Sequence, residues 1–170
     1  SRDDLLLPLF VVEGSGIREP IASMPGVHRF SVDQVVDEAK RVADLGVPGV
    51  MLFGIPESKD ARGSGADQPD GVVQQAVSAI QEGTSGLCVI TDVCLCEYTS
   101  HGHCGILDGE EILNDVTVSH LVQVALSMQA LVFAPGELAA PGHLYVLHRG
   151  LVLYRGAVLT AGRHWGEDLL

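Results

Sequence analysis

Apolar residues in the first three quarters of the chain fall into short unbroken blocks, separated by stretches where they recur every three or four positions. Leu5-Leu6-Leu7-Pro8-Leu9-Phe10-Val11-Val12 is a nearly continuous apolar run and predicts a strand buried on both faces. A Gly- and Pro-punctuated loop is expected through Met24-Pro25-Gly26. Ser31, with Gln34 three residues on, has the spacing of a capping box and predicts a helix start. Val32, Val35, Val36, Ala39, Val42, Ala43 and Leu45 then repeat at helical spacing, with Asp37, Glu38, Lys40 and Arg41 on the other face and Gly46 as the stop. Val50-Met51-Leu52-Phe53 reads as the next buried strand. The polar stretch from Gly54 to Pro69 is too long for a plain connector and points to function. Asp70 is expected to cap a second helix, from Val72 to about Glu82, and Leu87-Cys88-Val89-Ile90 to form a third strand. After a second long loop, Asp92 to Glu111, Asn114 or Asp115 caps a third helix running to about Met128. A fourth strand is expected at Leu131-Val132-Phe133-Ala134.

Strands alternating with helices, with long loops after the strands, describe β/α units on a parallel sheet whose site lies at the strand C-termini. Four strands and three helices begin either a barrel or an open sheet, and a complete eight-stranded barrel takes roughly 250 residues. In a barrel, Val11, Leu52 and Ile90 are expected on the inner face. Beyond Pro135 the rhythm stops. Leu144–Leu147 and Leu151–Tyr154 flank His148-Arg149-Gly150, which predicts a β-hairpin with a three-residue loop.

The 170 residues suit one domain, and their net charge of −12 argues against nucleic acid or an anionic membrane surface as partner. No apolar stretch approaches the ~18–20 residues that span a bilayer, and Ser1-Arg2-Asp3-Asp4 lacks the plan of a signal peptide. A cytoplasmic chain is expected. Residues 1–128 hold 19 acids and 7 bases, whereas residues 129–170 balance to zero and contain no Lys, Ile, Asn, Ser or Cys. Two kinds of sequence meet near residue 128.

The second long loop holds three of the four cysteines, Cys94, Cys96 and Cys104, at C-x-C-x₇-C spacing. Thiolates are soft ligands that favour zinc, and three protein ligands leave a fourth position for water or substrate. His101 or His103 can supply a fourth ligand and close the site. The alternative without metal is three reduced thiols, or a disulfide formed after isolation. Cys88, inside an apolar strand, reads as a small hydrophobe.

The string from Thr91 to Leu107, Thr-Asp-Val-Cys-Leu-Cys-Glu-Tyr-Thr-Ser-His-Gly-His-Cys-Gly-Ile-Leu, closely resembles porphobilinogen synthase, also called 5-aminolaevulinate dehydratase. Pro8–Val11, Met24–Val27, Phe30–Gln34, Leu52–Gly54, Gly63–Ala66, Pro69–Gly71 and Leu113–Asp115 carry the resemblance in order over about residues 5–128. It implies a cytosolic (β/α)₈ TIM barrel, usually a homo-oligomer, that condenses two molecules of 5-aminolaevulinate to porphobilinogen in haem and tetrapyrrole biosynthesis. It also implies a catalytic zinc on Cys94, Cys96 and Cys104. The chain is then a partial barrel of about four strands and three helices: residues 1–135 form its N-terminal half, and residues 136–170 a divergent tail.

The family's two active-site lysines form Schiff bases with the substrates and come from the second half of its barrel. This chain has only Lys40 and Lys59, neither in that context, so no catalytic residue carries over. The expectations are therefore a porphobilinogen synthase-like chain with its zinc loop, or an inactive zinc-binding variant that associates with full-length subunits. A splice end, a frameshift or a fusion would each account for the tail.

Overall fold

A computed structural model describes residues 4–128 and the backbone of four short strand segments between residues 145 and 165. The apolar run at the start forms β1 (Leu6–Val12). It is followed by β2 (Arg18–Pro20), β3 (His28–Ser31), α1 (Val32–Asp44), β4 (Gly49–Ile55), α2 (Val72–Gly83) and β5 (Cys88–Thr91). These strands make one sheet in the order β2-β3-β1-β4-β5, parallel throughout except for the outermost β2. A small β6–β7 pair (Leu107–Asp108 with Glu111–Ile112) leads into α3 (Asn114–Ser127). The mostly parallel β/α order is the one expected. Leu131–Ala134, the expected fourth strand, lies outside the described residues.

One face of the sheet holds the main core. Val35, Ala39 and Val42 of α1 and Val73, Ala76, Val77 and Ile80 of α2 pack on Leu9, Val11, Val50 and Leu52. Val11 and Leu52 are therefore beneath the helices, not on the inner barrel face expected for them. The opposite face carries Phe10 and Phe53, whose rings stack at 5.6 Å, and in register with them Pro8, Met51 and Ile90. Ile90 alone of the three is on the expected side. Where every position of a strand is apolar, no alternation marks which parity meets the helices.

The expected Gly- and Pro-punctuated loop contains two strands. β3 adds to the far edge of β1, pairing Phe10 with Arg29 and Val12 with Ser31. β2 folds back on β3 with Glu19 opposite Arg29, an ion pair of 2.6 Å. Charges and Pro20 on this outer strand blunt a free edge.

None of the three expected side-chain caps forms. Ser31 is the N-cap of α1, but its hydroxyl accepts from Ile17 N (2.9 Å) and donates to Asp33 (2.6 Å), and Gln34 also turns to Asp33. Asp33 in turn accepts from Gly16 N at 3.0 Å, so this cluster pins the β1–β2 loop instead. Gly71, not Asp70, precedes α2, and Leu113 precedes α3. Asn114 spends its amide on the Asp115 carboxylate at 3.2 Å.

In the tail, β9 (Leu151–Tyr154) pairs antiparallel with β10 (Ala157–Thr160), and β8 (Tyr145–Val146) with β11 (His164–Trp165). The hairpin expected between 144–147 and 151–154 is thus replaced by one whose strands are two residues apart in sequence, Arg155-Gly156, the commonest hairpin spacing. Among the described residues no helix is long and apolar enough to cross a membrane.

Candidate metal centre

β5 ends at Thr91, and its last rung to β4 is Asp92 N to Leu52 O at 3.3 Å. The chain then dives inward at Leu95, which is fully buried in a second core with Ala66, Tyr98, Ile106 and Val124. Leu95 O accepts from both Tyr98 N and Thr99 N at 2.9 Å, closing a tight turn around it. With Leu95 anchored, the residues on either side of it bring their sulfurs together: Cys94 and Cys96 Sγ lie 3.3 Å apart. Cys104 returns to them because Thr99 Oγ1 donates to His103 O at 2.8 Å and Gly102 turns the chain at φ +71°, a left-handed conformation that suits glycine. The three Sγ atoms all lie within 4.8 Å of one another. Zinc–sulfur bonds of about 2.3 Å at a tetrahedral centre put sulfurs about 3.8 Å apart, so the donor set fits such an ion.

The histidines are occupied elsewhere. His101 Nδ1 accepts from His103 N (3.1 Å) and its Nε2 lies 3.1 Å from Ala61 O, while His103 Nδ1 accepts from Gly105 N (2.9 Å). Among the described residues, the three cysteines are the one group of metal-capable side chains, and no histidine belongs to it. Of the two arrangements open from spacing, the side chains brought together are those of the three-thiol one. Cys88 stands apart in β5.

Crowding makes the bare cluster a poor place for negative charge. The Cys96 thiol is pushed up to about 12 by its hydrogen bond to Cys94, by burial and by the neighbouring sulfur charges. Cys104 is raised as well, chiefly by Cys94. A dication among the sulfurs reverses this balance, since coordination favours the deprotonated thiol. The Glu97 carboxyl is raised to about 7, mainly by burial and then by Asp92, against the opposing pull of Gly54 N–H and Lys59.

The long loop after β4 walls the cysteine loop. Asp60 N donates to Tyr98 O (3.3 Å), and Ser100 N to Asp60 O (2.8 Å). The Asp60 carboxylate accepts from Arg62 N (2.7 Å) and from the Ser64 amide and hydroxyl, which holds its acidity near 2. Gly63, at φ +68°, would set a Cβ only 3.2 Å from Thr99 Cγ2. Asp60, Gly63 and Glu97 were not singled out from sequence as parts of the centre. An aspartate two and four residues before its backbone partners is the one local signal for such a turn. Lys59 lies in this same loop, and Lys40 pairs with Asp37 at 3.6 Å on the exposed side of α1.

The sequence model of the delta-aminolevulinic acid dehydratase family matches residues 1–138. The chain belongs to that family. The match runs past the point near residue 128 where the quoted motifs end. The dehydratase of Methanothermus sociabilis is 49% identical over 141 residues, covering 81% of this chain and 44% of the relative. That of Synechocystis is 50% identical over 129 residues, covering 74% of this chain and 39% of the relative. The crystal structure of the Toxoplasma gondii enzyme, in complex with its product porphobilinogen, superposes with a TM-score of 0.70 at 32% identity. That superposition covers 74% of this chain and 37% of the other. The chain thus spans about two fifths of the length of these dehydratase relatives, and its sheet is that part of the porphobilinogen synthase TIM barrel.

Proposed function

We propose that this chain is the metal-holding, N-terminal portion of a zinc-dependent porphobilinogen synthase, a lyase that condenses two molecules of 5-aminolaevulinate in haem and tetrapyrrole biosynthesis. The observation that carries the proposal is the convergence of Cys94, Cys96 and Cys104 sulfurs within 4.8 Å at the C-terminal end of the sheet, in a chain of this family. Cys94, Cys96 and Cys104 would hold the zinc, which would supply Lewis-acid polarisation of a substrate carbonyl or amine. The protein's own part would be to hold three sulfurs in place, keep His101 and His103 in hydrogen bonds of their own, and wall the site with the Asp60 loop. Residues 1–135 form the barrel portion and 136–170 a separate tail. A cytoplasmic setting suits three thiols that must stay reduced.

Lys40 and Lys59 are the only lysines among these 170 residues, and neither lies in the family's Schiff-base context. Turnover then requires the remainder of the barrel, whether it belongs to the same polypeptide or to an associated subunit. The test is zinc content and affinity under reducing conditions. About one zinc per chain is expected, falling sharply for Cys94→Ser, Cys96→Ser or Cys104→Ser and unchanged for Cys88→Ser. Equal metal content in all four variants would overturn the assignment.

A further inference from the structure

β4 and β5 stop pairing before β4 itself ends. The last paired residues are Leu52 and Thr91, yet β4 continues to Ile55. In a continuing parallel ladder the Gly54 N–H would donate to the next carbonyl of β5, but there the chain has already turned off to form the cysteine loop. The vacant rung is filled by a side chain: Glu97 Oε2 accepts from Gly54 N at 3.1 Å, across 43 residues of sequence. Glu97 directly follows Cys96, so this bond reaches the backbone that carries the sulfurs. The approach depends on Gly54, where a Cβ would collide with the Tyr98 hydroxyl and lie 2.8 Å from Val73 Cγ2. Holding a half-buried carboxylate costs desolvation, and among the described residues its one hydrogen bond is this backbone amide.

We propose that Glu97 is a positioning residue of the cysteine centre, fastening the loop to the end of β4 so that Cys94 and Cys96 are held side by side. The proposal rests on the metal-holding role inferred above. Asp60 fixes the neighbouring Tyr98 and Ser100 backbone, so Glu97 supplies a second, independent fastening of the segment that follows Cys96. A glutamine presents the same acceptor oxygen; an alanine presents none.

The experiment uses the whole chain in wild-type, Glu97→Gln and Glu97→Ala forms. Zinc affinity is measured by competition with a chromophoric chelator, the sulfur-to-cobalt absorption is recorded after Co²⁺ loading, and hydrogen exchange of the Gly54 amide is followed without metal. Glu97→Ala should speed Gly54 exchange, lower zinc affinity about 10- to 100-fold, the usual loss for an outer-shell partner, and shift the cobalt spectrum. Glu97→Gln should restore affinity to within about threefold and recover the spectrum. Wild-type affinity and spectrum in Glu97→Ala would overturn the positioning role while leaving the metal centre standing, as would a Glu97→Gln chain as impaired as Glu97→Ala. A wild-type chain that takes up no zinc would instead remove the metal centre, and this role with it.

Discussion

Phe10 and Phe53 stack ring on ring, centroids 5.6 Å apart and planes 25° from parallel, on the face of the sheet turned away from α1 and α2. Met51 and Ile90 share that face, and Leu6, at its lower end, is 44% exposed. In a closed barrel these side chains are interior. Covering them is worth about 25 cal/mol per Å² of apolar area, which favours association. Sedimentation at micromolar concentration should show species heavier than the 18.0 kDa chain. Phe53→Asp, which charges the centre of the face, should shift the distribution toward monomer. A compact monomer that binds no hydrophobic dye would count against this.

Residues 1–170 by themselves should not turn over 5-aminolaevulinate. The family resemblance assigns the chemistry to two Schiff-base lysines, and a Schiff base needs an amine of depressed pKa. Lys40 is ion-paired with Asp37 on an exposed helix face, and Lys59 sits in the polar loop after β4. Borohydride in the presence of substrate should trap no adduct. Turnover of roughly 1 s⁻¹ or more would show that another amine serves, and loss of that activity in Lys59→Met would identify it.

The blocks of Val, Leu and Ile and the helical spacing from Val32 to Leu45 were enough to place β1, β4, β5, α1 and α2 within a residue or two. Two things escaped. The short strands β2 and β3 have no apolar run of their own; β3 exists because Phe30 and Ser31 add to an edge of β1 already formed. The side-chain cap of α1 failed because Ser31 and Asp33 found partners in Ile17 and Gly16, and no local pattern anticipates partners from a distant loop. The grouping of the three sulfurs was legible because Cys94, Cys96 and Cys104 lie close in sequence. Its fastenings, Asp60 and Glu97, were not, because their partners Tyr98, Ser100 and Gly54 lie about forty residues away.

Acid should loosen the Asp60 wall of the centre and the β1–β2 loop pinned by Asp33. The carboxyls of Asp60 and Asp33 are both held near 2 rather than 3.8 by hydrogen bonds to Ser64 and to Ser31 respectively. A carboxylate with a lowered folded-state pKa stabilises the fold above its unfolded value, and that contribution disappears as pH falls from about 4 to about 2. Both groups face solvent, so each effect is small and screened by salt. Thermal melts across that window should show a shallower acid limb for Asp60→Asn than for wild type. Parallel limbs would mean the Ser64 contacts do not hold in solution.

Gly54 is the position where fold and centre press most closely together. It is buried at the end of β4, and a methyl group there would meet the Tyr98 hydroxyl from one side and Val73 Cγ2, 2.8 Å away, from the other. Overpacking of this kind costs about 1–3 kcal/mol, and the strain has two outlets. Val73 belongs to the buried face of α2 and resists movement; Tyr98 belongs to the cysteine loop. Gly54→Ala should therefore lower the melting temperature and also weaken zinc binding, since displacing Tyr98 pulls on Glu97 and Cys96 beside it. Tyr98→Phe removes the clashing oxygen while keeping the ring in place. The double variant Gly54→Ala/Tyr98→Phe should then recover part of both losses, a coupling of about 0.5–3 kcal/mol in stability for residues in direct contact. Strict additivity of the two substitutions in the melting data would place the strain on Val73 alone and uncouple Gly54 from the metal loop.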